Sequence, residues 1–233
     1  MQVIKITPVP ISDHASLLGE HFAYKFAGEM QSYYKPFVLK NRSVQLAKET
    51  WEYAVADAVP DAEWIGAGKN IIDVLTPKIQ IDVKGISCEN LTGKTTEASI
   101  LQNNKMENDN VLSLFENKDI DALKKMFIDP YVDKVSAADN LHILAAVRIK
   151  KTKEVYYCLL KVDIIENETF MDSVELQGSR SVLMPMIDPK YGNTCLYLPK
   201  RRLEMRLDMR GLREFCVYSH NYSINSLQLN FDQ

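Results

Sequence analysis

Residues 71–86, IIDVLTPKIQIDVKGI, carry apolar side chains at alternate positions on both sides of Pro77-Lys78, the pattern of two strands joined by a tight turn. With the turn at Pro77-Lys78, paired residue numbers sum to 155, so Asp73 faces Asp82, Ile72 faces Val83 and Val74 faces Ile81. Side chains alternate between faces, so Asp73, Asp82 and Lys84 are expected on one face. Ile72, Val74, Ile81 and Val83 are expected on the other, against a core. Directly opposed residues have Cβ atoms roughly 4.5–5.5 Å apart, and like charges at that distance destabilise a hairpin. Two facing carboxylates therefore need compensation. A divalent cation with oxygen ligands supplies it most simply, and Lys84 adds positive charge nearby.

The spacing Asp73, eight residues, then Asp82-Val83-Lys84, with Gly85-Ile86-Ser87 following, resembles the PD-(D/E)XK nuclease superfamily, which includes many type II restriction endonucleases. Ile72 stands where the fuller pattern has proline. The resemblance covers about residues 64–90. It implies an α/β fold with a restriction-endonuclease-like mixed β-sheet flanked by α-helices. It also implies that Asp73 and Asp82 hold Mg²⁺, with the backbone carbonyl of Val83 as a further ligand. Lys84 would orient or help deprotonate the attacking water and stabilise charge on the scissile phosphate. Members of this kind cut double-stranded DNA to 5′-phosphate and 3′-hydroxyl ends. Cleavage of both strands at a symmetric sequence implies a homodimer. The alternatives are a repair, recombination or transposition nuclease of the same superfamily, and a DNA-binding protein whose acidic hairpin is structural.

Relatives often add an acid from the helix before the hairpin. The stripe Val44, Ala47, Trp51, Ala54, Val55 and Ala58 predicts a helix over 43–58, capped by Ser43 and ended by Pro60. On it Glu52 lies about 100° from the centre of the stripe and can reach past the packed face, whereas Glu49 lies near the opposite side. The competing reading of Glu52 is an i,i+4 ion pair with Lys48. Gln102 lies 18 residues after Lys84, where some relatives place a substrate-contacting glutamine followed by tyrosine four residues on. Here Met106 stands at that position, which leaves Gln102 as a substrate contact or a residue of a turn or helix end.

The most basic segment is Lys200-Arg201-Arg202 followed by alternation of Leu203, Met205, Leu207 and Met209 with Glu204, Arg206, Asp208 and Arg210. It predicts a half-buried strand with one charged face. Lys200, Arg201, Arg202, Arg206 and Arg210 are the DNA-contacting candidates, against local ion pairing with the interleaved acids. The net charge of −3 excludes an indiscriminate polycation but not a local basic patch.

Elsewhere the pattern predicts a strand before Pro8, a helix from Ser12 or Asp13 to about Tyr33 closed by Pro36, and a short helix near Ala98–Asn104. A further helix is predicted over Asp119–Phe127, then strands over Leu141–Ile149 and Val155–Ile164, and irregular chain over 165–200. The 233 residues suit a single nuclease domain, its catalytic core over about 43–165 and recognition or dimer elements over 166–233. Cys88, Cys158, Cys195 and Cys216 are too far apart for paired zinc ligands and read as reduced thiols. The opening MQVIKITPVPISDH lacks the pattern of a signal peptide, and no apolar run approaches a membrane span. A cytoplasmic, bacterial protein without membrane contact is expected.

Overall fold

The computed structural model describes residues 1–40, 46–66, 71–91, 97–103, 111–177, 181–183, 194–197 and 203–223. The fold is built on β6 (Leu141–Ile149), whose sequence LHILAAVRI is buried at every position but Arg148. A strand covered on both faces needs this near-continuous apolar run. Ile143, Ala145 and Val147 point into one core and Leu144 and Ala146 into the other. On one side β6 pairs parallel with β4 (Gln80–Cys88), and on the other antiparallel with β7 (Glu154–Glu166). The long β7 carries β12 (Val217–Asn221) on its first residues and β1 (Gln2–Pro8) on its last. Two short strands, β3 (Val74–Leu75) and β2 (Glu63–Trp64), extend the sheet beyond β4. The result is a seven-stranded mixed sheet in a mixed α/β protein, with strand order β1-β7-β6-β4-β3-β2 and β12 beside β7.

Helices cover both faces. One core is closed by α1 (Ile11–Leu18), α2 (Phe22–Leu39) and α3 (Lys48–Ala58), the other by α5 (Ile120–Phe127) and α6 (Asp129–Ser136). The expected single helix to Tyr33 is two helices. Gly19 breaks it with φ +95°, and a Cβ there would lie 2.9 Å from Pro60 Cδ. Pro36 does not close the second one. The buried stripe Phe22, Phe26, Met30, Tyr34 and Val38 continues past it to Leu39, and this packing outweighs the single hydrogen bond that proline removes. Helix α3 starts at Lys48; the Ser43 cap lies outside the described residues. It packs closely on β4, since a Cβ at Gly85 would lie 2.5 Å from Trp51 Nε1.

Asp119 caps α5 by accepting the Ala122 N–H, but Asp129-Pro130 does not end the helical region. Pro130 sits in the first turn of α6, where its missing N–H costs nothing. A short helix α4 (Val111–Glu116) precedes α5.

A second sheet of five antiparallel strands has the order β5-β11-β10-β9-β8. These are β5 (Glu97–Asn103), β8 (Glu175–Gln177), β9 (Ser181–Leu183), β10 (Thr194–Tyr197) and β11 (Leu203–Asp208). The helix expected near Ala98–Asn104 is thus a strand, stabilised by a partner distant in sequence that no local pattern reveals. Residues 165–200, expected to be irregular, contain three of its strands. Val182 of β9 is fully buried in the core beneath α5 and α6. Among the described residues no helix is long and apolar enough to cross a membrane.

Candidate active site

Thr76 closes the turn at Pro77-Lys78: its N–H and hydroxyl both donate to the Ile79 carbonyl, and its Oγ1 accepts the Ile79 N–H at 2.9 Å. This sets the register Val74 opposite Ile81 and Leu75 opposite Gln80, the sum of 155 read from the sequence. The ladder is shorter than the sequence implies, because β3 is only two residues long. At Asp73 the chain bends, and its N–H donates to the Ile81 carbonyl at 2.9 Å. Beyond that point the Asp73 side chain replaces the strand. Its Oδ2 accepts the Val83 N–H at 2.8 Å, satisfying a buried donor that the end of β3 leaves behind. The same bend sends Ile72 into the core beneath α5 and α6, whereas Val74, Ile81 and Val83 line the other. The four-residue apolar face expected of the hairpin is therefore three residues.

Along β4, Ile81 and Val83 face α3, while Ile86 and Cys88 face α5 and α6. Asp82 and Lys84 share the latter face by alternation. Asp82 is 2% exposed. Lys84 Nζ pairs with its Oδ1, while its Oδ2 is buried and accepts no hydrogen bond among the described residues. Burial pushes the Asp82 carboxyl up to about 7. Lys84 opposes that rise, and the neighbouring Asp73 adds to it by charge and as an acceptor for the proton. The two acids read as opposed in the sequence are thus adjacent, though on a bend and a strand rather than on two paired strands.

The helix acid joins them indirectly. Glu52 is fully buried; its Oε2 accepts from Trp64 Nε1 at 3.1 Å, and its Oε1 lies 2.7 Å from Lys48 Nζ. The i,i+4 pair is real, but it is no surface pair, for Lys48 Nζ also donates to Asp73 Oδ1 at 3.2 Å. Burial works to lower the Lys48 pKa, yet Glu52 and Asp73 outweigh it and the net shift is upward.

The sequence reading missed Lys134. It projects from α6, which covers the Asp82 and Lys84 face, between the buried Tyr131 and Val135. Burial lowers its pKa, while Asp82 and Asp73 pull it up and Lys84 and Lys48 push it down. Pro130 as a first-turn residue was the available signal, since it would have placed Lys134 on a helix with an apolar stripe.

Glu52 and Asp73 therefore share Lys48, Asp82 pairs with Lys84, and the charges of Asp82 and Asp73 act on Lys134 from across the layer. Among the described residues no three His, Cys, Asp or Glu side chains gather into a ready-made metal cage. Magnesium does not require one, since it is usually held by one or two carboxylates, several waters and substrate phosphate. Asp73 and Asp82 fit that demand: both are oxygen donors, and the buried Asp82 Oδ2 has no hydrogen-bond donor among the described residues.

Arg206 stands in β11, opposite Ser99 of β5 and Cys195 of β10, and Gln102 stands in β5 opposite Glu204. Gln102 is thus a strand residue, not one of a turn or helix end. Arg210 is exposed on the 3₁₀ segment Met209–Phe215 that follows. Lys200, Arg201 and Arg202 lie outside the described residues.

Comparison with protein-family models, curated proteins and solved structures gives no significant match. The chemistry of the site must be argued from its own residues.

Proposed function

We propose that the chain is a Mg²⁺-dependent, sequence-specific endonuclease that hydrolyses phosphodiester bonds of double-stranded DNA, in the manner of a type II restriction enzyme. The observation that carries it is the convergence of two buried acids, Asp73 and Asp82, with Lys84 at the short β3–β4 turn. A restriction-endonuclease-like core is part of this proposal. An antiparallel β3–β4 turn, with β4 joined through β5 and the helices α4 to α6 to a parallel neighbour, β6, supports it.

Asp73, Asp82 and the Val83 carbonyl would hold the ion, which when bound lowers the pKa of its water and polarises a phosphoryl oxygen. Lys84 pairs with Asp82, and its ammonium would orient the attacking water and meet charge on the phosphate. Lys134 adds a second ammonium from the opposite layer, where it stabilises negative charge that develops during displacement. Burial keeps bulk water from screening these charges. The Val83 N–H fixes Asp73, so its carboxylate needs little reorganisation.

DNA recognition is assigned to β11 and its surroundings, through Arg206, Arg210 and the preceding Lys200, Arg201 and Arg202. The core over 43–165 and the recognition elements over 166–233 are interleaved in space, because β5 of the first pairs with β11 of the second. Cutting both strands calls for two copies of the site and hence a homodimer.

Incubation of the purified protein with a mapped plasmid and Mg²⁺ tests the proposal. Discrete fragments with 5′-phosphate ends are expected, and Asp82→Ala and Lys84→Ala should abolish them while DNA binding persists. Equal cleavage by both variants would remove these residues from catalysis.

A further inference from the structure

We propose that Lys48 is a built-in counter-cation of the metal site: it holds Glu52 and Asp73 together in the metal-free chain and withdraws when a divalent cation binds, so that it sets the affinity for that cation. This inference rests on the reading that Asp73 and Asp82 hold a divalent ion.

Each of the two acids has one oxygen committed elsewhere, Glu52 Oε2 to Trp64 Nε1 and Asp73 Oδ2 to the Val83 N–H. The remaining oxygens, Glu52 Oε1 and Asp73 Oδ1, both turn to Lys48 Nζ, at 2.7 and 3.2 Å. Neither acid can be left without a positive partner at its depth, since the two are 0% and 4% exposed. The Lys48 side chain itself is 53% exposed, so its flexible stem can carry the ammonium into solvent at small cost. The beginning of α3 thus presents a half-exposed monovalent cation between two fixed carboxylates, near the buried Asp82 Oδ2, which accepts no hydrogen bond among the described residues. A divalent ion drawn to Asp73 competes with that ammonium for Asp73 Oδ1. When it wins, its charge takes the place of the ammonium's between Asp73 Oδ1 and the neighbouring Glu52 Oε1, and Lys48 is released toward solvent and an incoming phosphate. A merely structural ion pair would affect stability and leave metal affinity alone.

The test is calorimetric titration of Mg²⁺ and Mn²⁺ into the intact wild-type protein and into Lys48→Met, Lys48→Gln, Lys48→Arg and Asp82→Asn. With the competing charge removed, Lys48→Met and Lys48→Gln should bind about tenfold more tightly, and Lys48→Arg should stay near wild type. Unchanged or weaker binding in both neutral variants overturns the proposal. Should the neutral variants fail to fold, amine acylation of the wild-type protein decides, read by peptide mass spectrometry. Labelling of Lys48 should rise severalfold when Mg²⁺ is added while the distant Lys161 stays constant. Unchanged or reduced labelling of Lys48 overturns the proposal. Metal binding to wild type that survives in Asp82→Asn, or no saturable binding at all, removes the underlying metal-site reading and this inference with it. Binding that needs Asp82 but ignores Lys48 removes the inference alone.

Discussion

Asp73 Oδ2 accepts the Val83 N–H at 2.8 Å, so the carboxylate of one acid is fixed to the backbone one residue beyond the other acid, Asp82. A side chain does here what a third residue of β3 would otherwise do, and the closeness of the two carboxyl groups follows from it. This relationship separates structural from chemical roles at position 73. Asp73→Asn keeps an acceptor for Val83 and should fold nearly as wild type, yet lose Mg²⁺-dependent cleavage. Asp73→Ala strands a buried N–H and should cost a further ~1–3 kcal/mol. Urea unfolding beside plasmid cleavage separates the two; retained cleavage in Asp73→Asn would contradict the role given to this acid.

The pH dependence of stability follows from Asp82. Its carboxyl holds a proton up to about 7 in the folded chain, against 3.8 as the ordinary value, chiefly because it is buried. Between those values the native state binds more protons than the unfolded chain. The stability this supplies is complete below the lower value and is lost as pH rises through the upper one. Metal-free wild type should therefore be less stable at pH 8 than at pH 5. Asp82→Asn should show a much smaller difference. Denaturant midpoints at the two pH values check this, and equal slopes in both proteins would contradict it.

Gly85 permits the contact between α3 and β4. Gly85→Ala places a methyl group 2.5 Å from Trp51 Nε1, and overpacking of this kind typically costs ~1–3 kcal/mol. Displacement of Trp51 also disturbs its neighbour Glu52, so cleavage should fall together with the melting temperature. A variant with unchanged stability would show that α3 can move away freely.

If β11 is the recognition strand, as proposed, Arg206→Ala should weaken DNA binding or relax base preference while leaving Mg²⁺ affinity unchanged. If the lost contact is to phosphate, the salt dependence of binding should lose about one unit of slope. Binding measured at several salt concentrations decides; no change in affinity, preference or slope would return Arg206 to pairing within the sheet.

Much of the main sheet was legible because its strands obey local rules. LHILAAVRI reads as a strand from its β-rich apolar run, and a turn at Pro77-Lys78 sets the hairpin register. The length of that hairpin was not legible, because the carboxylate of Asp73 takes over from the backbone. Helix α6 was obscured by Asp129-Pro130, a pair that closes one helix as readily as it opens another. β5 was obscured because its partner β11 lies far along the chain. In the site, Asp82 and Lys84 follow from strand alternation, Asp73 from the register of the turn, and Glu52 from its angle on α3. The second partner of Lys48 and the approach of Lys134 depend on how α3 and α6 pack on the sheet, which no spacing within either helix encodes.

The most direct measurement is anomalous diffraction from crystals of the protein soaked in Mn²⁺. One strong peak bonded to both Asp73 and Asp82, absent in Asp82→Asn, is the expected result. Saturating Mn²⁺ with no peak between those two carboxylates, or a peak that ignores the substitution, would contradict the metal site on which the proposed nuclease depends.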